Sequence, residues 1–344
     1  MQKKIIALAI TAAFASAPAF ADTSVYGVAD VGFGSKAVTS SSTGTKTTDS
    51  GVQFGQDQTS RIGVKSSEDL GNGMKAMYQL EIGLGNGFTP SSNLTVDRVL
   101  TAGINFGQGT TLVGGKLSSP LRGIVYGNDA MYGANFVGNL ITMDSSLTAR
   151  AVAIAVIHKF GSVTGSLAML DHTTSVDNVP DVKAGNGFEA TAVYKQDALS
   201  VSGGYRSTQA SALNGAGTAL ASDVKTTDLI LAANYDFGVA KLYGQFAQVK
   251  ADDSVAPSSD KKTYETAGVN VPITPALAGY VELGTGKHDT GAATSPKYTA
   301  YAVGARYDLG KSTWAYAHVG SYKEDTLPNN SKKDQYGIGL VHSF

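Results

Sequence analysis

The sequence predicts an all-β chain, folded as a 16-stranded antiparallel up-and-down transmembrane β-barrel. Three observations carry that prediction. The chain ends on a strictly alternating run in which Tyr336, Ile338, Leu340, His342 and Phe344 share one parity. Its first 21 residues read as an export signal. Between the two ends, short period-two segments are joined by connections that alternate between short and long.

The leader is taken first. Lys3 and Lys4 supply a charged start, residues 5–14 are nearly all apolar, and Ala19-Phe20-Ala21 is an A-x-A cleavage site. The apolar run is too short to cross about 30 Å of hydrocarbon as a helix. The expected organisation is therefore a signal peptide over 1–21 and one barrel domain over 22–344.

Composition narrows the class. Loss of the leader removes two lysines, so the formal charge moves from −1 to about −3, which argues against nucleic acid as a partner. There is no cysteine, so there is no disulfide or thiolate chemistry. Forty-one glycines, 16 tyrosines and only nine prolines fit many strands and tight turns. After the leader no apolar run approaches 18 residues, which excludes helical spans but not strands of about 10 residues.

Sixteen segments are expected to start near residues 23, 52, 74, 95, 110, 147, 162, 187, 199, 226, 240, 262, 276, 298, 312 and 334. That gives about 20 residues per strand plus connection, enough for a spanning strand with mixed short and long links. Leu199, Val201, Gly203 and Tyr205 alternate with Ser200, Ser202, Gly204 and Arg206; Tyr301, Val303, Ala305 and Tyr307 alternate with Ala300, Ala302, Gly304 and Arg306. One face is apolar and often ends in tyrosine, and the other is small, polar or charged. Lipid outside, water inside and aromatics at the interface produce that pattern. Short turns fall at 70–73, 106–109, 195–198, 237–238 and 309–311; long polar connections fall at 37–51, 118–146, 172–186, 209–225, 251–261 and 325–333. Sixteen strands enclose an aqueous channel.

Catalytic and cofactor chemistry finds no support. His158, His172, His288, His318 and His342 are scattered without metal-ligand spacing, and no G-x-S-x-G elbow exists. His342 and Ser343 are adjacent in one strand and point to opposite faces, so they cannot form a dyad. The glycine-rich run at 83–87 lacks the following helix that a dinucleotide fingerprint needs. Gly27, Gly63, Gly103 and Gly114 read as packing or bend sites in strands. The chain is expected to be no enzyme and to need no cofactor or metal.

Several segments resemble one family. They are "SVYGVADVGFG" at 24–34, the hairpin "SRIGVKSSEDLGNGMKAMYQLEIGLG" at 60–85, "DRVLTAGINFGQGTTLVGGKLSSPL" at 97–121 and the terminal "YGIGLVHSF". Together they are similar to the general diffusion porins of the Gram-negative outer membrane, in the β-proteobacterial branch. The resemblance implies a homotrimer of 16-stranded barrels in the outer membrane, in contact with outer-membrane lipid and lipopolysaccharide, and a long third loop folded into each pore. It implies passive diffusion of ions and small hydrophilic solutes. The terminal strand, with Tyr336, Ile338, Leu340 and Phe344, would close the barrel and be read by the barrel-assembly machinery. Two departures stand out: Val341 replaces the family's basic residue before the histidine, and "LTARAVAIAVIHKF" at 147–160 is unusually apolar.

The resemblance assigns a basic wall opposite the third loop to Arg61, Lys65, Lys75, Arg98, Lys116 and Arg150. Parity supports part of it. Ile62 and Val64 take the lipid face, which sends Arg61 and Lys65 inward with Gly63 and requires a local irregularity. Lys75, Gln79 and Glu81 also face in. An Arg or Lys on the lipid side at the midplane would cost about 2–4 kcal/mol. Arg122, Tyr126, Asp129, Tyr132 and Asp144 are expected to face the lumen from the loop. Seven basic residues between 61 and 150 oppose Glu68, Asp69, Glu81, Asp97, Asp129 and Asp144, and Glu68 and Asp69 sit in a turn. A weak anion preference follows. The alternative is a substrate-specific channel, with Tyr126 and Tyr132 stacking on a solute.

Overall fold

A computed structural model describes residues 21–344 except 40–42, 56, 85–97, 135, 137, 172, 175–181, 214–219, 292–294 and 327–328. The leader at 1–20, His172, Asp97 and the expected strand start at 95 lie outside the described residues.

The elements run β1 (Ala21–Thr39), β2 (Lys46–Phe54), β3 (Arg61–Gly71), β4 (Met74–Gly83), β5 (Val99–Asn105), β6 (Thr110–Ser118), α1 (Pro120–Gly127), α2 (Leu140–Met143), β7 (Arg150–Phe160), β8 (Val163–Leu170) and β9 (Thr173–Thr174). They continue as β10 (Val182–Gln196), β11 (Leu199–Leu213), β12 (Leu220–Asp236), β13 (Lys241–Asp253), β14 (Ser258–Pro272), β15 (Leu277–Asp289), β16 (Lys297–Asp308), β17 (Thr313–Thr326) and β18 (Asn329–Ser343). All pairing is antiparallel between neighbours. β2 and β3 are two halves of one wall strand, because β1 pairs with β2 over Val31–Thr39 and with β3 over Ala21–Val28. β9 adds only a two-residue ladder beside β10. Among the described residues the wall therefore has 16 strands.

The sheet closes on itself. β1 pairs with β18 from Val28↔Ser343 to Thr39↔Lys332. One step further, Gly27 and Phe344 exchange backbone bonds of 3.0 and 3.1 Å. Closure joins the first strand to the last, which removes the edge that an open sheet would have to cover there.

Alternation sets the faces. Val201, Tyr205, Leu231, Leu283, Tyr301, Val303, Ile338 and Leu340 are exposed, while the intervening Ser202, Arg206, Ile230, Ala232, Glu282, Ala300 and Ala302 are buried. The apolar exposed face is the one lipid covers. Val341, the departure from the family pattern, is fully buried with Val28 and Tyr316 and fills an inward position.

Turns at the short-link end use left-handed backbone where the sequence supplies residues that tolerate it. Asn72 and Gly73 have φ of 53° and 76°. At the long-link end the strands outrun the expected boundaries. β11 reaches Leu213 and β12 begins at Leu220, where a loop over 209–225 is expected; β13 and β14 similarly invade 251–261. Both faces meet water there, so the apolar alternation lapses while Ser, Thr and Lys continue to pair. The opposite error occurs at 147: Leu147 is fully buried in the connection, and β7 begins at Arg150.

Candidate functional site

The connection between β6 and β7 is built by local capping. Ser119 caps α1, its hydroxyl accepting from Arg122 N at 3.2 Å, and Pro120 opens the helix where no donor is needed. Asn139 caps α2 through Ile141 N at 2.9 Å. Leu121, Ile124, Val125, Leu140, Ile141 and Leu147 then pack with Ile230, Ala232, Ala247, Val249, Tyr264, Tyr298 and Ala300 of β12 to β16. Each such burial contributes about 1.5–3 kcal/mol.

Polar tethers fix the same segment. Glu189 accepts from Leu121 N at 2.8 Å, and Glu282 accepts from Ala130 N at 3.0 Å. Asn128 links to Asn234 at 2.8 Å, and its carbonyl accepts from Gln245 at 2.8 Å. Arg206 lies 2.7 Å from Asp228 and 3.6 Å from Glu189, and it donates to the carbonyl of Ser146. The partners on the wall alternate with exposed apolar residues, so the segment lies on the face opposite to lipid.

This docking leaves a cavity of about 500 Å³ between α1 and β3 to β7. Four arginines line it: Arg61, Arg98, Arg122 and Arg150. Glu81 is the carboxylate among the lining residues. Arg98 Nε lies 2.5 Å from Glu81 Oε1 and Arg61 Nε 3.4 Å from Oε2. Tyr26 donates to Glu81 at 3.0 Å and accepts from Gln79 at 2.6 Å. The Tyr26 ring crosses Gly63, where a Cβ would come within 2.4 Å of it. Gly63 is thus a packing site.

The expected site residues separate into groups. Arg61, Arg98 and Arg150 come together with Arg122, Tyr126 and Tyr132 at the cavity. Arg98 precedes β5, which frees it from strand alternation, and Arg150 sits at the very start of β7. The irregularity expected near Gly63 is absent: β3 keeps one register from Arg61 to Asp69, and the shift falls between Asp69 and Gly71. Arg61, Gly63 and Lys65 simply share the inner face. Lys65 lines a second cavity of about 430 Å³ nearer the short turns, 5.6 Å over the Tyr26 ring. Lys75 is exposed at the first residues of β4, beyond both cavities.

Three expectations are corrected. Lys116 pairs with Leu100 and Val152, which are 54% and 52% exposed, so it shares their lipid-side face and does not join the basic wall. Asp129 and Asp144 do not face an open lumen: both are buried. Asp144 accepts from Tyr264 at 2.9 Å, with Lys262 Nζ 3.9 Å away. Burial raises the Asp129 carboxyl from 3.8 to about 6, against hydrogen bonds that oppose the shift. Desolvation likewise lowers Arg122, which stacks 4.3 Å over Tyr126.

Sequence reasoning missed Arg206 and Arg306 as site residues. Arg306 lies 5.3 Å from the Tyr132 ring and 4.1 Å from the Trp314 ring, between the segment and the wall. Parity places both arginines inside, but nothing local shows what they meet.

A closed 16-stranded antiparallel barrel with an apolar outer face and arginines within defines an outer-membrane channel protein. The chain belongs to the Gram-negative porin family, whose profile matches residues 7–327, and it is an outer-membrane protein. It is 28% identical to an outer membrane porin protein of Bordetella pertussis, over the full length of both. It is also 28% identical to outer membrane porin protein 32 of Delftia acidovorans, over 99% of this chain and 92% of that one. An anion-selective porin from Comamonas acidovorans superposes with a TM-score of 0.76 at 21% identity, covering 94% and 100% of the chains. A trimer form of OmpT from Vibrio cholerae gives 0.71 at 15% identity, covering 94% and 100%.

Proposed function

We propose that this porin is a general diffusion channel with a weak preference for anions, matured by removal of residues 1–21 and assembled as a homotrimer. The segment after β6 acts as the loop that narrows each pore, with α1 facing the arginine wall. The observation that carries the reading is the charge at that gap, four arginines against the one carboxylate of Glu81. Fixed charge of one sign at a narrow point favours counter-ions. The likeness to an anion-selective porin points the same way.

No catalytic role is proposed. His318, His288 and His342 each hydrogen-bond to a neighbouring side chain of the wall. A substrate-specific channel is the weaker alternative. The face of Tyr126 is covered by Arg122, and Tyr132 packs edge-on to Tyr280 at 6.2 Å. Neither ring is a bare platform.

The deciding measurement is the reversal potential of the refolded protein in a planar bilayer under a KCl gradient. A chloride-selective sign is expected, and a potassium-selective sign defeats the proposal. Saturable block by one neutral sugar would instead favour the specific channel.

A further inference from the structure

The wall facing the arginine cavity is divided along the barrel. On β3 and β4 the inward residues are charged, polar or glycine, with Met77 the apolar exception. On β5 to β8 small and apolar residues join polar ones: positions 151, 153 and 155 of β7 are alanine, Ala155 and Ala168 pair directly, and Thr101, Thr111 and Ser166 share the same face. Val113 and Ile157 line both the 500 Å³ cavity and the 430 Å³ cavity, and both are only half-buried. Met77 extends the same strip into the second cavity, where Lys65 waits. Val113, Ile157 and Met77 thus form an apolar patch, flanked by Gln79, Thr101 and Thr111, between Arg98 and Arg122 at one end and Lys65 and Asp22 at the other. A channel meant only for hydrated inorganic ions gains nothing from such a wall, because apolar surface cannot replace a hydration shell.

We propose that the pore favours organic anions with an apolar body, such as aromatic or branched monocarboxylates, over small hydrophilic anions of the same charge. The inference rests on the anion-preferring reading above. The carboxylate would engage the arginine wall while the body lies along Val113 and Ile157, and Lys65 offers the next cation on the way to the periplasm. Apolar contact of about 40 Å² raises occupancy about fivefold.

The test uses the refolded full-length pore in planar bilayers at neutral pH. Bi-ionic reversal potentials compare potassium benzoate, acetate and chloride. Benzoate is expected to permeate at least as well as acetate despite its larger size, and millimolar benzoate should reduce the chloride current saturably while acetate does not. A series from acetate through butyrate to hexanoate should show block deepening with chain length. The double substitution Val113→Thr with Ile157→Thr should weaken benzoate block about fivefold. Permeability falling strictly with size, with no block in the series, overturns the proposal even if chloride selectivity stands; this arm needs no variant. Potassium selectivity in KCl overturns the anion reading itself, which separates the two failures.

Discussion

Glu81 Oε1 lies 2.5 Å from Arg98 Nε, while Oε2 of the same carboxylate faces Arg61 Nε at 3.4 Å. One acid therefore holds two arginines on the wall and cancels part of their charge. A unit charge about 7 Å from the ion path shifts chloride and potassium in opposite directions by about 0.6 kcal/mol each in water, or about sevenfold in their permeability ratio. Glu81→Gln should raise the chloride-to-potassium permeability ratio by about that factor. The gain should shrink in concentrated salt, where the Debye length is about 3 Å at 1 M. Reversal potentials at two salt concentrations check both statements.

Lys116 and Arg61 test the assignment of faces. Lys116 shares a register row with exposed Leu100 and Val152, so Lys116→Gln should leave ion selectivity unchanged. Arg61→Gln should cut the chloride preference by a comparable factor, about sevenfold. Equal shifts from both substitutions would contradict the register.

Much of this was legible in the chain. Period-two alternation locates the wall strands because each has lipid on one side and water on the other. The same logic assigns Arg61 and Lys65 correctly to one face. It fails for Lys116, whose flanking Gly114 and Gly115 give no apolar signal for parity to follow. It also fails for Arg206 and for Asp144, because their roles depend on Ser146 and Tyr264, contacts 60 and 120 residues distant in the chain. No local pattern encodes a docking partner at that separation.

Asp30 organises the break between β2 and β3. Its carboxylate accepts from Asp57 N at 2.7 Å, Gln58 N at 2.8 Å and the Tyr316 hydroxyl at 2.9 Å. Tyr316→Phe should cost about 1–2 kcal/mol, one buried bond to a charged acceptor. Asp30→Ala should cost more, about 3 kcal/mol, because two backbone donors lose their partner as well. Thermal unfolding in detergent should rank wild type above Tyr316→Phe above Asp30→Ala.

Asp129 makes the docking of its loop pH-dependent. Burial in the docked loop, where its carboxyl hydrogen-bonds to that of Glu282, pushes the Asp129 carboxyl up from 3.8 to about 6. The docked state therefore holds its proton more tightly, and the stabilisation is fully present below about 3.8 and lost as pH rises through 6. Single-channel flicker should increase between about pH 4 and 6. Asp129→Asn should stay quiet across that range, so an unchanged pH profile in this variant would remove Asp129 as the cause.

Phe344 closes the barrel by its backbone and fills the site over Gly27 by its ring. A Cβ on Gly27 would approach the Phe344 Cζ to 2.4 Å and the Arg61 carbonyl oxygen to 2.9 Å. Gly27→Val should therefore push the terminal ring aside and strain the β1–β18 seam. Deleting Phe344 removes the two backbone bonds to Gly27 outright, together with an apolar ring that is 60% exposed on the lipid side. The deletion leaves the arginine cavity untouched, whereas the Gly27 substitution presses on the Arg61 backbone. Both should reduce the yield of folded, heat-resistant protein in the outer membrane several-fold, while the pores that assemble without Phe344 keep wild-type conductance and selectivity. Normal yield from the deletion would show that closure by Val28 to Thr39 against Lys332 to Ser343 is sufficient by itself.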